Sequence, residues 1–177
     1  MRPQAMRAGS LLLVLGAGVG AGGCNAGQER AGAQGSVGYT VTAPQGWEDI
    51  TREVEREAGV AFDVAYGGPV KGGERASVNI TQRDAGDGAS LARLIRAGRE
   101  EVDELAVGNL ELSPVVAATI DGAPAQRYDF SANGKRVRQI GTLHEGEFFV
   151  VTLTAPAAGF PGALARLDGV LRSWRWD

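Results

Sequence analysis

One imidazole, His144, and one thiol, Cys24, stand among 177 residues that carry 21 Asp and Glu. A Ser-His-Asp device would use His144 as its base. Its nucleophile would come from Ser36, Ser77, Ser90, Ser113, Ser131 or Ser173. No Gly-x-Ser-x-Gly elbow raises any of these serines for attack. His144 adjoins Glu145-Gly146, a turn where a polar side chain is ordinary, so a hydrolase reading rests on His144 alone. A single Cys and a single His exclude a disulfide framework and any zinc site that needs several such ligands. Asp84-Ala85-Gly86-Asp87-Gly88 has too few carboxylates for a calcium loop and reads as a turn. Asn79-Ile80-Thr81 is a glycosylation string that falls inside an expected strand. The remaining cluster is Glu100, Glu101, Asp103 and Glu104, set after Arg93, Arg96 and Arg99 on one expected helix. That order opposes the helix dipole, and the i, i+4 pairs Arg96/Glu100 and Arg99/Asp103 run in the less favourable direction. The cluster is either a solvated face or a charged surface on which a partner docks.

The thiol has the more informative surroundings. Residues 1–23 hold Arg2 and Arg7 and no acid, followed by an uncharged run, Ala8 to Gly23, with apolar residues from Leu11 to Val19. The run falls short of the ~20 residues that span a bilayer core, and it reads as a secretory signal peptide. Gly16-Ala17-Gly18-Val19-Gly20-Ala21 matches a dinucleotide fingerprint as a string, but a polar tract follows where a helix would be needed. Ala21-Gly22-Gly23-Cys24 resembles the bacterial lipobox, with Ala21 where Leu is usual. The resemblance implies cleavage between Gly23 and Cys24 and a diacylglyceryl group on the Cys24 thiol, two acyl chains being enough for stable anchoring. An incidental Cys behind an ordinary secretory signal is the alternative. Asn25 to Val37 is polar and Gly/Ala-rich and reads, with Cys24, as a flexible tether over 24–37, with a reach of roughly 20 Å. The formal net charge of −3 becomes more acidic without Arg2 and Arg7. A nucleic-acid partner is therefore not expected.

The folded domain should occupy 38–177. Tyr39 to Ala43 alternates as a strand, and Asp49 to Gly59 allows either a short helix, capped by Asp49 and closed by Gly59, or a strand. Val60–Tyr66 and Ala76–Gln82 read as strands. Ser90 to Gly108 delimits a long helix with Leu91, Leu94, Ile95, Gly98, Val102 and Leu105 on one stripe. Four strands follow, over Val115–Ile120, Gln126–Ser131, Lys135–Leu143 and Phe148–Thr154. They are joined at Asp121-Gly122, Asn133-Gly134 and Glu145-Gly146. A two-residue turn at Asn133-Gly134 would set Phe130 opposite Val137 and Asp129 opposite Arg138. A two-residue turn at Glu145-Gly146 would set Arg138 opposite Leu153, and a longer loop would set it opposite Thr154. A last helix begins near Pro161, with Trp174 and Trp176 closing the core. This order specifies an α+β chain, an α/β/α sandwich with a six- to seven-stranded, mainly antiparallel sheet.

Four stretches then resemble a family: Tyr39-Thr40-Val41 to Gly46-Trp47; Ile120 to Ala125 with Tyr128; Phe149 to Ala157; and Ser173-Trp174-Arg175-Trp176. They are similar to the LpqN-type lipoproteins of actinobacteria, within the wider PsbP-like group. The scarcity of Lys, confined to Lys71 and Lys135, suits a GC-rich actinobacterial genome. The resemblance implies an antiparallel α/β/α sandwich and non-enzymatic work, docking on or assembling a protein complex in the cell envelope. It brings no catalytic residue, cofactor or metal. The expectation is a monomer on the outer side of the cell membrane, held by Cys24, with an envelope protein as partner. A carrier with an apolar pocket and a hydrolase using His144 remain the other readings.

Overall fold

The computed structural model describes residues 29–32, 38–105 and 110–177. The leader, the Gly23/Cys24 junction and the expected C-terminal glycine Gly108 lie outside the described residues. Ten strands and three helices follow one another as β1 (Glu29–Gly32), β2 (Tyr39–Thr42), β3 (Glu48–Asp49), α1 (Thr51–Ala58), β4 (Val64–Gly67), β5 (Ser77–Asp84), α2 (Leu91–Leu105), β6 (Val116–Ile120), β7 (Ala123–Ala132), β8 (Lys135–His144), β9 (Glu147–Pro156), α3 (Phe160–Ser173) and β10 (Arg175–Trp176).

Local chemistry accounts for most boundaries. Asp49 Oδ1 accepts from the Thr51 amide at 2.9 Å and its hydroxyl at 2.7 Å, and Gly59, at φ 69°, closes α1. The stretch that allowed helix or strand is therefore helical. The three hairpin turns each place two residues at positive φ: Asp121-Gly122 at 43° and 81°, Asn133-Gly134 at 51° and 74°, Glu145-Gly146 at 48° and 84°. Two consecutive left-handed residues make a type I′ turn, whose twist matches that of the strands it joins. Registers follow: Asp129 faces Arg138, Phe130 faces Val137 and Arg138 faces Leu153, as two-residue turns require.

The main sheet runs β3-β4-β5-β9-β8-β7-β6, seven strands, every pairing antiparallel. Two expectations change. Tyr39–Thr42 does not join it but forms a separate three-stranded sheet, β1-β2-β10. Its inward Tyr39 and Val41 pack with α3, which an alternating pattern cannot foretell. Glu29–Gly32, within the segment read as free tether, pairs antiparallel with Tyr39–Thr42. Main-chain pairing needs only an open strand edge, so polar, Gly-rich residues can supply it.

The sheet is covered on both faces. On the back face, Val78, Ile80, Phe149, Val151, Leu153 and Ala155 pack with Phe160, Leu167, Val170 and Trp174 and with β2. On the front face, Phe130, Val137, Phe148 and Val150 meet Ile95 and Val102 of α2. A smaller cluster, Ile50, Val54, Phe62 and Ala65, sits under α1. β9 is buried along nearly its whole length because both faces are covered at the sheet centre.

Candidate functional site

Three surfaces carry polar chemistry. The first is the exposed side of α2. Glu100, Asp103 and Glu104 are exposed and share one patch by i, i+3, i+4 spacing, whereas Glu101 is half-buried. Arg99 also turns inward: Nη1 donates to the Ser113 carbonyl at 2.7 Å and the guanidinium lies 5.2 Å from the Tyr128 ring centroid. The four-carboxylate face expected from sequence is thus three outward acids with Arg93 and Arg96 nearby. Burial pushes the Tyr128 hydroxyl well above the ordinary tyrosine range, with Arg99 opposing and Glu101 adding to the rise.

The second is a small cleft between α1 and the front face, with about 30 Å³ of room inside it. Ser77, Asn79 and Thr154 form its floor, and Glu57 and Lys135 stand at its sides. Arg75, 8% exposed, pairs with Glu53 at 2.7 Å on one wall. Sequence reading missed this cleft. Its residues come from α1, β4, β5, β8 and β9 and the loop before β5, and no spacing in the chain joins them.

The third is the end of the sheet that carries His144. The imidazole stacks on Trp176 with centroids 4.1 Å apart and planes 17° apart. Trp176 Nε1 in turn donates to the Ile120 carbonyl at 3.3 Å. Among the described residues no hydrogen bond joins His144 to a serine. Ser173 is occupied by the Val170 carbonyl and the Thr42 amide, and Ser113 by the Pro114 carbonyl and the Asp129 amide. Asp63 accepts from the Tyr39 hydroxyl at 3.4 Å. Burial raises its carboxyl to about 6, partly offset by that hydrogen bond and reinforced by Glu147. The Asp84–Gly88 stretch is a turn, with Asp84 Oδ1 accepting from the Gly86 amide at 2.7 Å. Among the described residues no group of three or more His, Cys, Asp or Glu could hold a metal ion, and no helix is long and apolar enough to cross a membrane.

The architecture matches solved structures. LpqN of Mycobacterium tuberculosis, described as involved in cell envelope biogenesis, aligns at TM-score 0.61 and 18% identity, over 86% of this chain and 92% of that one. The cyanobacterial PsbP (CyanoP) of Synechocystis aligns at TM-score 0.57 and 18% identity, over 91% of this chain and 98% of its own. The fold is PsbP-like, of the LpqN type. A Pseudomonas aeruginosa protein of unknown function, PA94, aligns at TM-score 0.52 and 20% identity over 59% of this chain and 75% of that one. Neither a family model nor a curated protein matches the sequence. At these identities the PsbP-like likeness concerns the fold, and function must be argued from the residues.

Proposed function

We propose that this PsbP-like chain is a lipoprotein of the cell envelope, held on the outer side of the membrane by a diacylglyceryl group on Cys24, and that it works without catalysis as an adaptor or assembly factor. The observation that carries the reading is the placement of the chain's sole Cys directly after Ala21-Gly22-Gly23, at the end of a basic-then-apolar leader. The fold it shares with LpqN, a protein described as involved in cell envelope biogenesis, supports the same reading. The division follows: 1–23 is removed, Cys24 carries the anchor, and 38–177 presents binding surfaces. His144, stacked on Trp176, serves packing in this reading. The cleft beside α1 has a hydroxyl and amide floor and an ion-paired wall, which is poor lining for an acyl chain.

The outward acids of α2 are the proposed docking face for a partner with a basic surface. Their charges sit toward the wrong end of the helix dipole, at about 0.3–1 kcal/mol each, with no fold-level return.

Two experiments test this. Cys24→Ala should abolish acyl labelling and move the protein from the membrane to the soluble fraction; unchanged fractionation would reject the anchor. Reversing the outward acids Glu100, Asp103 and Glu104 to Lys should abolish partner capture by cross-linking in the native envelope while thermal unfolding stays near that of the parent. Capture at parental yield would remove α2 from the account.

A further inference from the structure

Among the described residues, the last strand of the main sheet has an open side. β6 pairs with β7 on one flank, from Val116 opposite Arg127 to Ile120 opposite Ala123, and ends the strand order. In a two-residue hairpin the residues flanking the turn exchange both hydrogen bonds, and every second pair along the ladder repeats this. Ile120, Ala118 and Val116 therefore direct their backbone groups to β7, and Ala117 and Thr119 direct theirs outward. Upstream, Leu112 bridges Phe130 and the Ser113 amide donates to the Asp129 carbonyl at 2.8 Å. Between Leu112 and Val116 the edge chain carries one residue more than β7, so it bulges around Pro114. A bulge with Pro is an edge-blocking device. It leaves open only the stretch from Val115 to the turn at Asp121. There Val115 is 40% and Val116 48% exposed, and Val115 to Ile120 carries no charge.

We propose that this edge pairs with the same edge of a second copy, antiparallel about a two-fold axis through Ala118, making one continuous sheet from two. The symmetry is that of the strand itself. Centred on Ala118, Ala117 meets Thr119 of the other copy, so the outward donors and acceptors satisfy one another. Val116 meets Ile120, and Val115 meets Asp121. Other centres that match the outward groups push Asp121 against the bulge or shorten the paired run.

Charge selects the same occupant. The chain as a whole is acidic, and two copies meeting on α2 would oppose Glu100, Asp103 and Glu104. The β6 flank is balanced instead: Asp121 lies 3.6 Å from Arg175 and accepts from the Trp176 amide at 3.1 Å, and Asp168 and Arg172 line the adjoining groove on α3. The two Asp121 carboxylates end up at opposite ends of a seven-residue ladder, roughly 20 Å apart and beyond the screening length.

Cysteine scanning in cells that make the full chain tests the register. In a non-hydrogen-bonded antiparallel pair the Cα atoms are about 4.5 Å apart, within disulfide reach, so Ala118→Cys should give a disulfide-linked homodimer on mild oxidation. Val116→Cys should give none, because the two copies of that position lie roughly 14 Å apart along the strands. The parent chain, with Cys24, supplies the background. Ala117→Pro, which deletes an outward amide that β7 does not use, should abolish the Ala118→Cys dimer. Thr119→Lys should do the same without touching the backbone. Equal cross-linking at both positions, no dimer from Ala118→Cys, survival of the dimer in a folded Ala117→Pro or Thr119→Lys chain, or a link to a different protein would each overturn the proposal.

Discussion

The back of the main sheet centres on one large aromatic cluster, while the front is divided by a row of buried polar side chains. Behind it, Tyr39 stacks on Trp174 at 4.2 Å and 9°, and Phe149 meets both rings edge-on. In front, Asn79, Thr152, Gln139 and Tyr128 stand side by side across β5, β9, β8 and β7. The Tyr128 hydroxyl donates to Gln139 Oε1, both side chains being buried. The two outer layers differ accordingly. α3 covers the larger apolar cluster, with the Asp129–Arg138 ion pair and buried Thr142 on the same face, and α1 and α2 cover separate smaller clusters with the polar row and the cleft associated with the front face. A fold that concentrates its burial on one face leaves the other free to hold polar side chains, so the front face is where recognition can be built without giving up stability.

That contrast can be broken most forcefully from behind. Trp174→Ala removes a fully buried ring from the aromatic stack and should lower unfolding free energy by about 3–5 kcal/mol in denaturant titration. A loss below 1 kcal/mol would mean the back face is not the stabilising one. Gly141→Val strikes the front next. A Cβ at Gly141 would lie 2.5 Å from Ile95 Cδ1 and 2.9 Å from Phe148 Cε2, so Ile95 of α2 and Phe148 must repack, at about 1–3 kcal/mol. Hydrogen exchange should show α2 losing protection while α3 keeps its own. Equal loss in both helices would show that the faces open as one unit.

The smallest effect sharpens the contrast at one carboxyl. Asp63 is held at about 6, above the unfolded value of about 3.9, so the folded chain binds its proton more tightly. Its contribution to stability is complete below pH 4 and is lost as pH rises through 6. The groups facing it are the Tyr39 hydroxyl and Glu147. Asp63→Asn should flatten the fall in melting temperature between pH 4 and 6. An unchanged profile would place that titration on another group.

Several of these features are legible in the sequence because they depend on neighbours along the chain. The hairpins with Asp-Gly and Asn-Gly turns set Asp129 opposite Arg138, an ion pair at 2.7 Å, and the strands between them need only alternate. The Glu145-Gly146 register was open in the sequence, because Glu rarely adopts the φ of 48° found there; two neighbouring strands that must fit together select it. The acidic patch of α2 was legible as a cluster, but not the inward turn of Arg99 and Glu101, which follows from Ser113, in the segment before β6, and Tyr128 of β7 arriving beside the helix.

From sequence alone come the expectation of a leader ending at Cys24, the two long helices, most strands of the main sheet, and the turns that reverse the chain. These follow from composition, period and backbone preference over a few residues. Tertiary structure alone decided that Tyr39–Thr42 leaves the main sheet for a smaller one, that β5 pairs with β9 across the intervening α2, that α1 closes over Ser77 and Asn79, and that β6 keeps an open edge among the described residues. A strand's pattern states which side it buries and says nothing of which edge it will find. That choice is settled by what the whole chain can bury at once.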